Sequence, residues 1–236
     1  MKNLIITGCS KGIGFEIVKS FAQNSDFNIL AISRDIIGLK KLKRECSLIN
    51  TDFSLHIISL DIALSKSILT IVEFVTTQFK GSLDGVIHNA GLLINKSFQD
   101  ISDKELHQSF QVNFFAPFIL TQKLSPYFND GAHVLSISSM GGLYGSVKFP
   151  GLSVYSSSKS ALITLTECLA EEFKMKNYKF NCLALGAVNT EMLNEAFPGY
   201  KAPVSANEMG AYIKHFFING SKYFNGKILP VSLTTP

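Results

Sequence analysis

Apolar and polar residues follow one another in blocks along this chain, and the blocks predict alternating strands and helices. Runs that are apolar nearly throughout predict strands at residues 4–7, 28–33, 55–60, 85–88, 132–138 and 180–185. Segments with helical periodicity lie between them, near residues 14–23, 37–49, 65–79, 103–124 and 155–175. A last helix near residues 206–217 leads to a final strand at residues 227–231. Such apolar strands are typical of a parallel sheet that is covered on both faces.

The order of these elements predicts an α/β fold, in which one doubly wound parallel sheet of the Rossmann type carries helices on both faces. The 236 residues are expected to form a single domain over residues 1–236. Ligands of such sheets bind at the carboxyl ends of the strands, close to the point where the strand order switches. Functional residues are therefore expected in the loops that follow the strands.

The composition argues against several classes of protein. Hydrophobic residues make up 46% of the chain and charged residues 17%, a balance that argues against disorder. The net charge is +4, and one basic cluster consists of Lys40, Lys41, Lys43 and Arg44. We interpret this cluster as the solvated face of a helix and not as a nucleic-acid interface. The first apolar run is too short for a signal peptide, and no run approaches the roughly 20 residues of a membrane span. We therefore expect a cytoplasmic protein.

Neither the cysteines nor the histidines are spaced like metal ligands. The cysteines stand far apart, which also argues against a disulfide framework: Cys9, Cys46, Cys168 and Cys182. The histidines show no His-Glu-x-x-His spacing. The sequence thus predicts no metal site and is compatible with a reducing compartment.

The first predicted strand ends in the segment T-G-C-S-K-G-I-G, residues 7–14, which opens the first helix. This context is typical of a loop that binds the pyrophosphate of a dinucleotide. Gly8 would allow the sharp turn, Gly12 would let backbone N–H groups approach the phosphates, and Gly14 would let the helix pack close to the strand. A glycine-rich turn that only reverses the chain is the alternative interpretation.

The end of the second strand bears on the choice between NAD and NADP. A site selective for NAD usually has an acidic residue there, which binds the 2′-hydroxyl of the ribose. In this chain Ser33 is followed by Arg34, and Asp35 is expected to cap the next helix. Arg34 could bind a 2′-phosphate, and Lys11 of the glycine loop could reach the same group. The pattern favours NADP(H) over NAD(H), and two solvated surface cations are the alternative.

Tyr155 and Lys159 are four residues apart in a predicted helix, so their side chains would lie on one face. An ammonium beside a phenol stabilises the phenolate and is expected to lower the pKa of the tyrosine. Such a tyrosine can act as a general acid or base. Taken alone, the pair also fits a solvated lysine and a packed tyrosine on an ordinary amphipathic helix.

Several motifs stand in a fixed order along the chain. They are T-G-C-S-K-G-I-G at 7–14, H-N-A-G at 88–91, Asn113 in Q-V-N-F-F-A-P-F, S-I-S-S-M-G-G at 136–142, Y-S-S-S-K at 155–159, L-G-A-V-N-T at 185–190 and the terminal N-G-K-I-L-P-V. In these motifs and their order, which cover nearly the whole chain, the sequence resembles the short-chain dehydrogenase/reductase family. The resemblance implies an NADP(H)-dependent oxidoreductase that interconverts a carbonyl and an alcohol by hydride transfer.

The resemblance also implies roles for particular residues. Tyr155 would be the catalytic acid/base, Lys159 would lower its pKa and bind the nicotinamide ribose, and Ser139 would hold the substrate oxygen. Asn113 would lie at a break in its helix and hold a water that links Lys159 to solvent. The cofactor would be bound by the glycine loop and by the ends of later strands: Gly8, Ser10, Lys11, Gly12, Ile13, Gly14, Ser33, Arg34, Asp61, Asn89, Ala90, Gly91, Tyr155, Lys159, Gly186, Val188 and Thr190.

Two single residues depart from the family pattern. His88 replaces the first asparagine of the usual Asn-Asn-Ala-Gly, at a position that tends to be structural. Leu185 replaces the proline that usually precedes the glycine after the sixth strand, so the turn loses a rigid φ. We expect the first change to tune the site and not to abolish it.

The interval between Ser139 and Tyr155 is longer than is usual in the family. The extra length lies in residues 145–152, which are expected to form a loop at the mouth of the substrate pocket. The unusual interval leaves Ser138 as an alternative to Ser139.

A possible lid follows the sixth strand, at about residues 188–205. Met192, Leu193 and Phe197 could close over an apolar substrate, and a packed surface excursion is the alternative. Further side chains suggest a partly hydrophobic pocket: Leu143, Tyr144, Phe149 and Pro150.

The partner expected from this pattern is a small carbonyl or alcohol substrate, with no nucleic acid and no membrane. The resemblance also implies a homodimer or homotetramer that assembles through the helices of Asn113 and Tyr155. The alternative function is that of a catalytically silent NADP(H)-binding regulatory protein of the same fold. Such a protein would be free to lose the tyrosine, lysine and serine, and all three are present.

Overall fold

The computed structural model describes residues 1–23 and 26–233. Its strands are β1 Lys2–Thr7, β2 Phe27–Ser33, β3 Leu55–Ser59, β4 Leu83–His88, β5 Phe128–Ser139, β6 Lys179–Leu185, β7 Val188–Asn189, β8 Val204–Ser205 and β9 Lys227–Val231. Its helices are α1 Gly12–Gln23, α2 Ile36–Ile49, α3 Ser65–Thr77, α4 Asp103–Phe110, α5 Ala116–Leu124, α6 Ser153–Glu172, α7 Glu191–Ala196 and α8 Ala206–Asn219. Strands and helices alternate as the hydrophobic pattern predicts.

The main sheet has seven strands in the order β3-β2-β1-β4-β5-β6-β9. Every neighbouring pair in it is parallel. The order switches between β1 and β4, because the chain builds outward from β1 in one direction and from β4 in the other. The predicted doubly wound parallel sheet of the Rossmann type is confirmed. Its switch point brings the loops after β1 and β4 together at one edge.

Helices cover both faces of the sheet because alternate side chains of each strand point to opposite faces. In β1, Leu4 and Ile6 lie in one apolar core and Ile5 in the other, and all are fully buried. The first core includes Phe21 of α1 and residues of α8, and the second includes Ile71 of α3 and residues of α5. The two cores fix α1 behind the loop that follows β1.

Two predicted helices differ in detail from those of the structure. The predicted helix at residues 103–124 consists of α4 and α5, which a π-helical turn at Gln111–Phe115 joins. The predicted helix at residues 155–175 begins at Ser153 and ends at Glu172. Its end is followed by a 3₁₀ turn and by Asn177 at φ 54°, a left-handed conformation that a helix cannot continue.

The segment after β6 contains elements that the hydrophobic pattern does not predict. Val188 pairs with Val204 in a short parallel ladder between β7 and β8, which brings the two ends of this excursion together. Thr190 caps α7, since its hydroxyl accepts a hydrogen bond from the N–H of Leu193 at 3.3 Å. The predicted lid segment is therefore an excursion that is closed at its base.

The ring of Phe21 joins α1 to β2 and α8. It is fully buried and makes edge-on contacts with Phe27 and Phe217, at centroid distances of 5.1 and 6.1 Å. We expect Phe21→Ala to lower the free energy of unfolding by about 3–5 kcal/mol, measured by urea denaturation, because a cavity replaces the ring.

Phe98→Ala is the matched control, because that ring is 79% exposed, and it should change stability by less than about 0.5 kcal/mol. A loss for Phe21→Ala no larger than that of the control would contradict this account of the core.

Candidate active site

A cleft of about 590 Å³ runs along the carboxyl edge of the sheet, across the switch between β1 and β4. Loops that follow several parallel strands line it together. Every residue for which the sequence predicts a catalytic or cofactor contact lines this cleft, with the exceptions of Gly14 and Asn113. Both exceptions lie behind the cleft wall and contact residues that do line it.

The glycine loop has the geometry that a pyrophosphate requires. Gly8 and Gly12 have φ angles of +76° and +60°, in the left-handed region that favours glycine. A Cβ at Gly8 would lie 2.8 Å from the Cα of Ala90, and a Cβ at Gly14 would lie 2.2 Å from the carbonyl oxygen of Gly8. The loop therefore needs its glycines, and it lies at the N-terminus of α1, where anions are stabilised. These features fit the phosphates of a dinucleotide.

Side-chain hydrogen bonds join the ends of β1 and β4 at the switch point. Asn89 Nδ2 donates to the carbonyl oxygens of Thr7 at 3.0 Å and of Gly8 at 3.1 Å. Thr7 Oγ1 accepts in return from the N–H groups of Asn89 at 3.2 Å and of Ala90 at 3.1 Å. Asn89 thus holds the glycine loop in position from the neighbouring strand.

Residues 8–12 also match the Gly-x-Ser-x-Gly elbow of serine hydrolases. However, the hydroxyl of Ser10 accepts a hydrogen bond from Ser33 Oγ at 2.8 Å. No histidine is found among the described residues that line the cleft. Ser10 therefore lacks the base that a hydrolase nucleophile needs.

The end of β2 presents a cation and no free acid to the cleft. Arg34 is exposed and lines the cleft beside Ser33. Asp35 caps α2, as predicted, because its carboxylate accepts a hydrogen bond from the N–H of Ile37 at 2.9 Å. The acid nearest in the chain is thus engaged by the backbone of its own helix.

Lys11 contacts the lid segment in the structure. Its Nζ lies 3.2 Å from Glu195 Oε1 of α7, and the two side chains are 54% and 72% exposed. An exposed pair of this kind stabilises little, because water screens both charges. Sequence analysis predicted that Lys11 reaches a 2′-phosphate. A phosphate bound at Arg34 would have to compete with the carboxylate of Glu195 for the ammonium of Lys11.

The two serines at the end of β5 have different partners. Ser138 Oγ is buried and donates to the carbonyl oxygen of Lys159 at 2.9 Å. Ser139 Oγ accepts from the N–H of Gly141 at 3.1 Å, and its hydrogen bond with Tyr155 partly opposes the rise that burial causes in the pKa of that phenol. The geometry thus favours Ser139 over Ser138 as the serine that acts with Tyr155.

Tyr155 and Lys159 share one face of α6, as the spacing predicts. Lys159 is buried, and its ammonium donates to the carbonyl oxygen of Ile137 at 2.8 Å while lying 6.0 Å from the centroid of the Tyr155 ring. Burial raises the pKa of Tyr155 to about 12 and lowers the pKa of Lys159 to about 8. The prediction of a lowered tyrosine pKa is therefore wrong for this structure, because desolvation raises the pKa and the hydrogen bond with Ser139 only partly opposes it.

Asn113 lies in the π-helical turn between α4 and α5, at a break in the helix as the resemblance implies. Its side chain is fully buried, accepts from the N–H of Leu92 at 2.8 Å and donates to the carbonyl oxygen of Leu92 at 2.9 Å. Its Nδ2 also donates to Ser158 Oγ at 2.9 Å, and Ser158 in turn donates to the carbonyl oxygen of Tyr155 at 2.8 Å. Asn113 thus joins the loop after β4 to the helix of Tyr155.

His88 is a buried structural residue in this fold. Its Nε2 lies 2.8 Å from the hydroxyl of Thr121 on α5. Burial, with a smaller effect from the nearby Lys159, lowers the pKa of His88 to about 3. The ring is therefore neutral at physiological pH and adds no charge to the site.

The other two departures from the family pattern also have structural consequences. The turn after Leu185 is held by the end of β9, because Gly186 donates its N–H to the carbonyl oxygen of Val231. A Cβ at Gly186 would lie 2.3 Å from Ser232 Oγ, so the residue after β9 also packs closely against this turn. These contacts fix the turn in a chain that has no proline at position 185. In the longer loop at residues 145–152, Phe149 and Leu152 line the cleft as expected of a pocket mouth.

Some residues were assigned to the pocket wrongly or were missed. Leu143, Tyr144 and Pro150 line a neighbouring groove and not the cleft, and Tyr144 is fully exposed. Additional wall residues that sequence analysis missed are Leu92, Leu93, Val112, Met140 and Tyr200. The sequence offers one signal for these residues, which is their position directly after β4 or β5, in the π turn or in the lid segment.

The family model for short chain dehydrogenases matches residues 2–201. The chain belongs to the short-chain dehydrogenase/reductase family. Members of this family are oxidoreductases that bind a nicotinamide cofactor, act on small molecules and are commonly oligomeric. The order of motifs and the parallel sheet both agree with this membership.

Individual relatives share a modest part of the sequence. The chain is 31% identical over 173 residues to the uncharacterized oxidoreductase YusZ of Bacillus subtilis, a match that covers 72% of this chain and 59% of that protein. It is 30% identical over 197 residues to a benzil reductase ((S)-benzoin forming) of Saccharomyces cerevisiae, covering 81% of this chain and 73% of that protein. The match thus spans less than two thirds of the Bacillus protein.

Solved structures show the same fold at lower identity. A short chain dehydrogenase from Burkholderia cenocepacia in complex with NADP superposes with a TM-score of 0.87 at 22% identity, over 98% of this chain and 96% of the other. Within residues 1–23 and 26–233 there is no cluster of metal-ligating side chains. Across the same residues, no helix is both long enough and apolar enough to span a membrane.

The buried ammonium of Lys159 predicts a pH dependence of stability. Because its pKa falls from 10.5 to about 8 on folding, the unfolded chain binds more protons between these pH values, and stability should rise with pH there. Relative to Lys159→Met, which lacks the titrating group, we expect the wild type to gain on the order of 3 kcal/mol across this window.

Urea denaturation of both proteins at several pH values from 8 to 10.5 measures this difference. A difference between the two proteins that stays constant, or falls as the pH rises, would show that the folded protein does not hold Lys159 as described.

Proposed function

We propose that this protein is an NADP(H)-dependent oxidoreductase that reduces the carbonyl group of a small molecule, with Tyr155 as the general acid. The observation that carries the proposal is the convergence of Ser139, Tyr155 and Lys159 on one side of a cleft whose other end has a phosphate-binding loop. The bound nicotinamide cofactor would supply the hydride. The protein would hold cofactor and substrate in the reactive orientation and provide the electrostatic environment for the reaction.

The protonated state of Tyr155 at neutral pH supports its proposed role as general acid. A phenol with a pKa of about 12 is protonated at neutral pH and can give a proton to an oxygen that gains negative charge. Ser139 is a second donor close to the same position, and donors held in place before reaction stabilise the developing charge. Lys159 adds a buried positive charge near both groups.

The residues around the cleft support a defined placement of the cofactor. The glycine loop with Gly8 and Gly12 would hold the pyrophosphate, and Asp61 at the end of β3 would meet the adenine. Gly91 would meet the cofactor beside Lys159, since a Cβ at Gly91 would lie 3.4 Å from the ammonium nitrogen, at ordinary contact distance. Val188 and Thr190 after β6 would contact the nicotinamide end.

NADP(H) is proposed as the preferred cofactor because a cation occupies the end of β2. Arg34 lines the cleft and the neighbouring Asp35 is engaged in capping α2. The Burkholderia cenocepacia dehydrogenase with the same fold was solved with NADP, and the similar yeast protein is named a benzil reductase. The NADP complex of the first protein supports a phosphorylated cofactor, and the name of the second supports the reduction of a carbonyl.

We further propose a homodimer or homotetramer that assembles through the helices α4, α5 and α6. Phe115 and Phe118 support this assembly, because they are 42% and 41% exposed on α5 and the preceding π turn. Burying such rings against a second copy would remove apolar surface from water.

Replacing the proposed acid separates catalysis from binding. Tyr155→Phe keeps the ring and removes the donor, so we expect NADPH-dependent carbonyl reduction to fall by at least about 10³-fold. The Kd for NADPH, measured by fluorescence titration, should change by less than about 3-fold, since most of the cofactor contacts lie elsewhere. Tyr144→Phe, in a fully exposed position, is the control and should retain activity. Substantial turnover by Tyr155→Phe would show that another group donates the proton.

Reversing the charge at the end of β2 tests the cofactor preference. Arg34→Asp should lower kcat/KM for NADPH relative to NADH by about 10²-fold or more, because a cation is replaced by an anion next to the 2′-phosphate. Lys176→Asp makes the same change of charge at an exposed position before β6 and should leave the ratio unchanged. A ratio that Arg34→Asp does not shift would refute the 2′-phosphate contact.

A further inference from the structure

The charged side chains of the cleft are confined to its cofactor end and to Lys159. Among the described residues that line it, the charged ones are Lys11, Arg34, Asp61, Lys159 and Glu191. The first three follow β1, β2 and β3, and a carboxylate oxygen of Glu191 lies 3.6 Å from the position of a Cβ on Gly12. Charge is thus concentrated where the nucleotide would lie.

The remaining wall, beyond Tyr155 and Ser139, is uncharged and largely apolar. It is built from the loop after β4, the long loop after β5 and the lid segment. The side chains that matter here are Leu92, Leu93, Phe149, Leu152, Met192 and Phe197.

Backbone and side-chain contacts join these three segments to one another. Lys96 donates its N–H to the carbonyl oxygen of Gly151 at 3.0 Å, which fixes the long loop against the loop after β4. Asn95 Nδ2 donates to the carbonyl oxygen of Ala196 at the end of α7 at 2.8 Å. Gly151, at φ +83°, is so close to Asn95 that a Cβ would lie 2.0 Å from Oδ1. The apolar wall is therefore held together by its own contacts.

The lysines of these segments are engaged elsewhere. Lys96 Nζ donates to both carboxylate oxygens of Glu105, at 3.1 and 3.0 Å. Lys148 Nζ donates to the carbonyl oxygen of Leu143 at 2.6 Å, and Lys201 is exposed and does not line the cleft. A carboxylate or phosphate on a substrate would lose water here and gain no counter-ion from these side chains.

We propose that this wall selects an uncharged ketone or aldehyde that carries an aromatic or branched aliphatic group, and that it excludes 2-oxo acids and phosphorylated carbonyl compounds. The proposal rests on the proposed function, since it assigns the substrate class of the same site. Phe149 and Phe197 would contact the apolar group, because they approach the cleft from the long loop and from the lid.

A matched set of probes tests the selection. 1-Phenyl-1,2-propanedione and phenylglyoxylate both carry a phenyl ketone and differ in a methyl ketone against a carboxylate, and 2,3-butanedione lacks the phenyl ring. Calorimetric titration of the NADPH complex of Tyr155→Phe measures binding without turnover. We expect the phenyl diketone to bind on the order of 100-fold tighter than phenylglyoxylate.

Variants of the wall locate the effect. Phe149→Ala and Phe197→Ala should each raise the Kd of the phenyl diketone about 10-fold and leave the Kd of 2,3-butanedione nearly unchanged, because only the first probe has a ring to contact. Tyr144→Ala, in the same loop but fully exposed, is the control and should change neither value.

The outcomes separate this inference from the proposed function. Equal binding of the two phenyl probes, tighter binding of the anion, or no binding of the phenyl diketone overturns the substrate class, even if the wild type reduces other carbonyls. Discrimination in binding with no turnover by the wild type would support the substrate class and reject the proposed function.

Discussion

The position of Tyr155 depends on one buried ammonium, that of Lys159. Its hydrogen bond to the carbonyl oxygen of Ile137 ties α6 to the end of β5, and Ser138 completes the tie by donating to the carbonyl oxygen of Lys159. A buried charge without such partners would be costly, so the helix cannot slide along the strand without losing them. One turn before Lys159, Tyr155 is thereby held against Ser139.

The parallel sheet explains why groups so distant in sequence meet at this point. Its strands all end at one edge, and the order switches between β1 and β4. The hydrogen bonds of Asn89 hold the glycine loop at that switch, and those of Asn113 hold the next loop against α6. The glycine loop and Tyr155, at the two ends of the cleft, are thus fixed to the same scaffold.

Much of this fold could be predicted because its signals are local. Apolar strands, the glycine loop and the cap by Asp35 depend on nearby residues, and the structure agrees with each. The pair β7–β8 was missed because two-residue strands leave no periodicity in the sequence. The contact between Lys11 and Glu195 joins residues that are far apart in the chain, so no local pattern announces it.

The pKa of Tyr155 was predicted in the wrong direction for a similar reason. Spacing showed that an ammonium would be near, but it did not show that both groups would be withdrawn from water or that the ammonium would bind a carbonyl oxygen. In the structure Tyr155 is a protonated phenol at neutral pH, which is compatible with the acid role among the two roles, acid or base, that the sequence allowed.

The ionisation of Tyr155 is the most direct test of this account. Carbon-13 NMR of protein labelled at tyrosine Cζ follows each phenol with pH, and comparison with Tyr155→Phe assigns the resonance. We predict that Tyr155 remains a phenol well above pH 10, in keeping with a pKa of about 12. A Tyr155 that ionises at or below pH 10 would contradict the claim that burial raises the pKa of this side chain.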